Sequence, residues 1–212
     1  MNETGNICAF SPDRVYRYTL LHSWADMFAP ELKTIAWIAL NPSTADENQL
    51  DPTLRRIRGF SAAWGYNSFM MLNAFAFRAT DPKEMERAAD PNGPENDAYL
   101  LAETAKVDKV ICAWGTHAAL NGRQNQIRAL LKDRPLYYLK LTKDGFPSHP
   151  LYLKSDLMPV RWNSPWPSRT NPFPSPSSAA VPPDSSPPPW PPTATSAASC
   201  SNARPAPARK SS

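Results

Sequence analysis

Residues 34–40 read TIAWIAL, an unbroken apolar run that halts at Asn41-Pro42-Ser43-Thr44. A strand with one wet face alternates polar and apolar residues. A run like this one needs cover on both faces, as in a parallel sheet sandwiched between helices. Three more runs follow the pattern: SFMMLNAFAF at 68–77, VDKVICAW at 107–114 and LYYLKL at 136–141. An opening strand is expected at 14–21 (RVYRYTLL).

Between these runs the period changes. Asp51 then Pro52 is an N-cap followed by proline at the first helical position. Leu54, Ile57, Phe60 and Trp64 recur every three or four residues, and Gly65 ends the stretch. Asp81-Pro82 and residues 92–95 open two further helical segments, with Ala98, Leu101, Ala102 and Ala105 expected on the packed face of the second. Leu120, Ile127, Leu130 and Leu131 mark another. Strand and helix alternate, so the fold expected is α/β: three αβα layers around a mostly parallel central sheet. In such sheets ligands sit at the carboxyl ends of the strands. Polar clusters fall there at 41–44, 73–80 and 143–149.

Composition changes abruptly at residue 163. The last 50 residues hold 14 Pro and 12 Ser, with no hydrophobic period. A segment of that kind cannot bury enough apolar surface to offset its ordering entropy. The expected organisation is therefore an α/β domain over 1–162 and a disordered Pro/Ser-rich tail over 163–212. Pro187-Pro188-Pro189-Trp190-Pro191-Pro192 could bind a Pro-recognition domain, although any Pro-rich tail offers such a run. The tail also carries the basicity. Residues 1–162 hold 19 Lys and Arg against 18 Asp and Glu, so the overall charge of +4 is no argument for nucleic-acid binding by the folded part.

Several classes are excluded or unsupported. No apolar run reaches 18 residues, so no membrane-spanning helix is expected. Residues 1–10 lack a basic then apolar leader. Cys8, Cys112 and Cys200 are too scattered for a zinc or iron–sulfur site, and no His pair has ligand spacing. No metal or cofactor is implied, and a reducing cytoplasm is the expected compartment. With 7 Gly in the chain, neither a dinucleotide fingerprint nor a P-loop is present.

Five stretches carry a family resemblance: LNPSTADENQLDPTLRR (40–56), WGYNSFMMLNAFAFRATDP (64–82), GPENDAYL (93–100), AWGTH (113–117) and LTKDGFPSHPLYL (141–153). Together they resemble the DUF1643 family of uncharacterised bacterial and archaeal proteins, over residues 14–162. The order of three shorter motifs also resembles the uracil-DNA glycosylase superfamily. Asn41-Pro42 looks like the Asn-Pro loop after the first strand of mismatch-type members. Met71-Leu72-Asn73 looks like the strand whose Asn reads the uracil edge. His149-Pro150-Leu151 matches a late His-Pro-Ser motif in two of three positions. This resemblance implies a glycosylase-like fold.

The residues themselves suit that chemistry. Cleaving an N-glycosidic bond needs a held water and stabilisation of the departing base. The Asn73 amide both donates and accepts, so it can match a base edge. His149 can donate to a leaving base oxygen or a phosphate. Asn41 can orient water but cannot ionise as a base, and an Asp stands at that place in other glycosylases. Asp46 and Asp51 are the nearest carboxylates, Asp51 reading first as a helix cap. The catalytic set expected is Asn41, Asp46 and His149. Pro42, Ser43 and Thr44 would shape the loop, or serve only as a turn. Phe75 would stack on a base or pack in the core. Arg56, Arg78 and Lys143 would meet phosphate. The leading reading is a nucleotide- or base-binding cleft able to hydrolyse an N-glycosidic bond. The alternatives are a non-catalytic interaction module on the same fold, and an enzyme for a small nucleotide-like metabolite.

Overall fold

The computed structural model describes residues 6–26, 28–43 and 50–162. The expectations placed on Thr44, Asp46 and the 163–212 tail fall outside them.

Seven strands form one sheet: β1 (Ile7–Phe10), β2 (Arg17–Ser23), β3 (Thr34–Ala39), β4 (Ser68–Asn73), β5 (Val110–Cys112), β6 (Leu136–Tyr138) and β7 (Val160–Arg161). Their spatial order is β1-β2-β4-β3-β5-β6-β7. The four inner strands β4, β3, β5 and β6 are mutually parallel. β1, β2 and β7 pair antiparallel at the margins. The sheet is thus parallel only at its centre, which corrects the expectation of a mostly parallel sheet. The opening strand is also displaced. Residues 14 and 15 form a bend in which Arg14 adopts φ 58, Tyr16 makes an isolated bridge to Phe77, and the strand is the second arm of a hairpin begun at Ile7. β1 and β7 were missed because four and two residues give too short a period to read.

The helices are α1 (Pro52–Ala63), α2 (Pro82–Arg87), α3 (Asn96–Thr104) and α4 (Arg123–Leu130). The Asp51 side chain accepts from Leu54 N at 2.7 Å and starts α1, with Pro52 in its first turn. Leu54, Ile57 and Phe60 then pack on one sheet face, against Ile35, Trp37, Phe69 and Met71. α3 and α4 contribute Leu100 and Ile127 to the other face, against Ala36, Ile38, Leu72 and Cys112. Alternate residues of β3 therefore feed two cores, which is why its sequence carries no polar residue between 35 and 39.

α3 buries Asn96, Leu100 and Thr104, not Ala98, Leu101, Ala102 and Ala105. Thr104 and Asn96 take the inner face because carbonyls there accept from the Thr104 hydroxyl and the Asn96 amide nitrogen, although Asn96 Oδ1 stays unmet. Thr104 Oγ1 donates to Leu100 O at 2.7 Å, and Asn96 Nδ2 donates to the carbonyls of Asn73 and Ala74 at 3.1 and 3.2 Å. No helix among the described residues is long and apolar enough to cross a membrane.

Candidate functional site

β3 and β5 lie side by side, but their chains leave in opposite directions. β3 crosses through α1 to β4 on one side, and β5 crosses through α4 to β6 on the other. This divergence opens a crevice at the strands' carboxyl ends. A cleft of about 740 Å³ lies there, a volume suited to a small molecule. Asn41, Ser43, Asp51, Asn73, Lys143 and His149 all line it, although they come from five separate segments.

Asn73 ends β4 and is 1% exposed. Its main chain is gripped on both sides. Ala74 N donates to Ala39 O at 2.8 Å across the parallel pair. From the opposite side Asn96 Nδ2 reaches the Asn73 and Ala74 carbonyls, and Arg123 Nε donates to Ala74 O at 2.6 Å. Arg123 is itself buried, and its Nη2 bonds the Asp97 carboxylate. The side chain of Asn73 differs from its backbone: neither Nδ2 nor Oδ1 has a hydrogen-bond partner. A buried polar group left unmet costs about 1–3 kcal/mol, so this amide stands ready for something that enters the cleft.

Asn41 follows β3. Its Nδ2 donates to Ala79 O at 2.8 Å and to Pro42 O at 3.2 Å, pinning its loop to the segment after β4. With the amide hydrogens committed, Oδ1 is the atom that can meet a ligand, as an acceptor. Pro42 is buried and serves through its carbonyl, which also accepts from Ala79 N.

His149 caps the short 3₁₀ turn Pro150–Tyr152, with Nδ1 accepting from Leu151 N at 3.4 Å. That acceptor role puts the ring proton on Nε2, leaving a donor. Burial lowers the His149 pKa from 6.5, while Asp51 pulls it the other way. The ring is therefore neutral at pH 7. Asp51 is the carboxylate that lines the cleft among the described residues.

Three expected residues lie elsewhere. The Arg56 guanidinium bonds Leu153 O and sits 4.9 Å from the Phe60 ring centroid, clasping α1 to the chain beyond His149. Arg78 donates to Arg14 O at 3.1 Å and faces the Phe10 ring, so it serves the β1–β2 hairpin. Phe75 is fully buried in the core beneath α3 and α4. Of the expected phosphate contacts, only Lys143 lines the cleft.

Other lining residues escaped the sequence reading. Arg17, Trp114, Gly115, His117 and Lys140 all border the cleft. Gly115 adopts φ 71 and ψ −169, a region open almost solely to glycine, and its N–H donates to Pro147 O at 2.8 Å. This ties the exit of β5 to the hairpin over residues 141–147. The rule that singled out Asn41 and Asn73, polar residues after an apolar run, would have found Gly115 to His117 after VICAW. His117 pairs with Glu86 at 2.8 Å on the rim. No group of three or more His, Cys, Asp or Glu able to hold a metal occurs among the described residues.

Comparison with curated proteins and with solved structures returns no match. A family model does match. The model described as a protein of unknown function, DUF1643, covers residues 17–151, from β2 through the His149 loop and so nearly all of the cleft. On that match, which spans more than half of the 212 residues, the chain belongs to the DUF1643 family.

Proposed function

We propose that the cleft binds a nucleotide or nucleic-acid base, with the Asn73 amide reading the base edge. The observation that carries this is the buried, unmet amide on a rigidly held backbone. Such an amide pays no reorganisation on binding, and a base edge offers the donor and acceptor it lacks. The glycosylase-like motif order adds support, because Asn41, Asn73 and His149 line one cleft despite their separation in sequence.

In this reading the cleft also hydrolyses an N-glycosidic bond. Asn41 Oδ1 holds the water, whose oxygen bonds to the anomeric carbon as the carbon–nitrogen bond breaks. The base departs with that electron pair, stabilised by the Nε2–H of neutral His149. The water's proton passes to a carboxylate, Asp46 or Asp51. A specific observation favours the second reading, a binding module without turnover. Asp51 already spends one oxygen on the α1 N-terminus, and Asn41 cannot ionise.

Thermal shift of the full chain against nucleobases, nucleosides and nucleotides tests binding. Stabilisation of wild type but not of Asn73→Ala is the expected result. No shift from a folded protein would overturn the proposal. A base-release assay then separates the readings. An enzyme loses turnover in Asp46→Asn or Asp51→Asn and in His149→Ala while staying folded. A binder shows none to lose.

A further inference from the structure

The base-reading amide occupies one part of a long cleft, and the charges lie at its two ends. Arg17, only 6% exposed, lies on β2 beside β4. Lys140 and Lys143 lie on the chain just after β6, where Ser148 N bonds Lys140 O and closes the 141–147 hairpin. All three cations line the cleft, against the single carboxylate of Asp51 among the described residues. Among the described lining residues cations therefore outnumber carboxylates, although residues 1–162 are nearly balanced in charge.

We infer that the ligand is a monomeric nucleotide, lying across the strand ends with its base at Asn73 and its phosphate at Lys140 and Lys143. The inference rests on the base-binding reading above and adds the ligand's other half. β4 and β6 are separated by β3 and β5, so the strand ends that carry Asn73 and the lysine hairpin are three spacings of ~4.8 Å apart, roughly 14 Å. That span exceeds a base alone and fits a base joined to a sugar phosphate once a lysine side chain reaches inward. Both lysines are exposed and unbranched, hence free to follow an anion, and the hydroxyls of Thr116, Thr142 and Ser148 line the same stretch. A duplex needs a basic footprint that continues across the surface. Here two of the arginines expected to extend such a footprint are spent internally, Arg56 on Leu153 O and Arg78 on Arg14 O.

Titration calorimetry on the full chain tests this. The probes are uridine, cytidine, adenosine and guanosine, their 5′-monophosphates, a short single strand and a short duplex. At least one monophosphate should bind about tenfold or more tighter than its nucleoside, the effect of charge-assisted bonds to phosphate. The double variant Lys140→Ser/Lys143→Ser should bring monophosphate affinity down to that of the nucleoside. Both lysines are exposed, so the variant keeps its fold. Equal affinity for nucleoside and monophosphate overturns the inference and leaves the base-binding reading standing. Tighter binding of either oligonucleotide, falling steeply with salt, overturns it in favour of a polymer. Absence of binding by every nucleoside and nucleotide overturns both readings.

Discussion

Two asparagines bracket β4, and they are treated in opposite ways. Asn67 stands just before the strand. Its Oδ1 accepts from Lys33 N at 2.7 Å and its Nδ2 donates to Glu31 O at 2.9 Å. Next to it, Thr34 and Ser68 share a hydroxyl contact, and the Tyr66 hydroxyl meets Asp108. Asn73 ends the strand, is more deeply buried, and has no partner for either amide atom. The amino end of the parallel sheet is a finished connector. The carboxyl end is left open above a firmly braced backbone. Other buried side-chain atoms also go unmet, Asn92 Oδ1 and Asn96 Oδ1 among them, but among the described residues Asn73 is the one with both amide atoms unmet, and it lines the cleft. That marks where a ligand is wanted, and the contrast with Asn67 can be attacked from both sides.

The largest expected effect is on the brace. Arg123→Ala leaves the Ala74 carbonyl without its Nε donor and vacates a fully buried site. It should cost about 2–3 kcal/mol in chemical denaturation. A loss within a few tenths would mean that Arg123 does not hold the Asn73 segment.

Gly115→Ala comes next. A Cβ there meets nothing within 4 Å, so the whole penalty is the backbone strain of φ 71 and ψ −169, about 1–3 kcal/mol. Gly59→Ala is the matched control. It also has open space but sits inside α1, so it should gain about 0.5–1 kcal/mol.

The asparagines themselves give the sharpest comparison. Asn67→Ala should cost about 1 kcal/mol, because it strands the Lys33 amide and the Glu31 carbonyl at a partly exposed site. Asn73→Ala should change stability by less than about 0.5 kcal/mol, since relief of an unmet buried amide offsets lost packing. Equal losses at the two positions would erase the contrast on which the functional reading stands.

The smallest effect is one of pH. Burial lowers the His149 pKa in the fold below its unfolded value of 6.5. The unfolded chain then binds more protons than the folded one below about pH 6.5. The His149 contribution is intact above that value and is lost as pH falls through the folded pKa. Stability of wild type should therefore fall from pH 7 to 5 more steeply than that of His149→Gln. Parallel pH profiles would show that the ring is not desolvated.

Much of this molecule could be read from its residues. Continuous apolar runs gave β3, β4, β5 and β6, and the Asp51-Pro52 signal with its stripe gave α1. Asn41, Asn73, Lys143 and His149 were found because each follows a strand or a turn at the end where open α/β sheets bind ligands. Arg56 and Arg78 were misplaced for a common reason. A guanidinium's destination depends on which chain passes near it, and the carbonyl that takes Arg56 is 97 residues away. Asn96 on the packed face of α3 went unseen because hydrophobic periodicity hides a polar residue whose partners lie on another element.

The sequence alone determined the alternation of buried strands and helices, and the polar residues at the strand ends, because periodicity and turn chemistry act over a few neighbours. Tertiary structure decided the strand order, the antiparallel margins and the assembly of five segments around one cleft. It also decided which of the two asparagines at the ends of β4 is satisfied. Hydrogen-bond satisfaction is a property of pairs distant along the chain, so no local pattern at Asn67 or Asn73 could have told them apart.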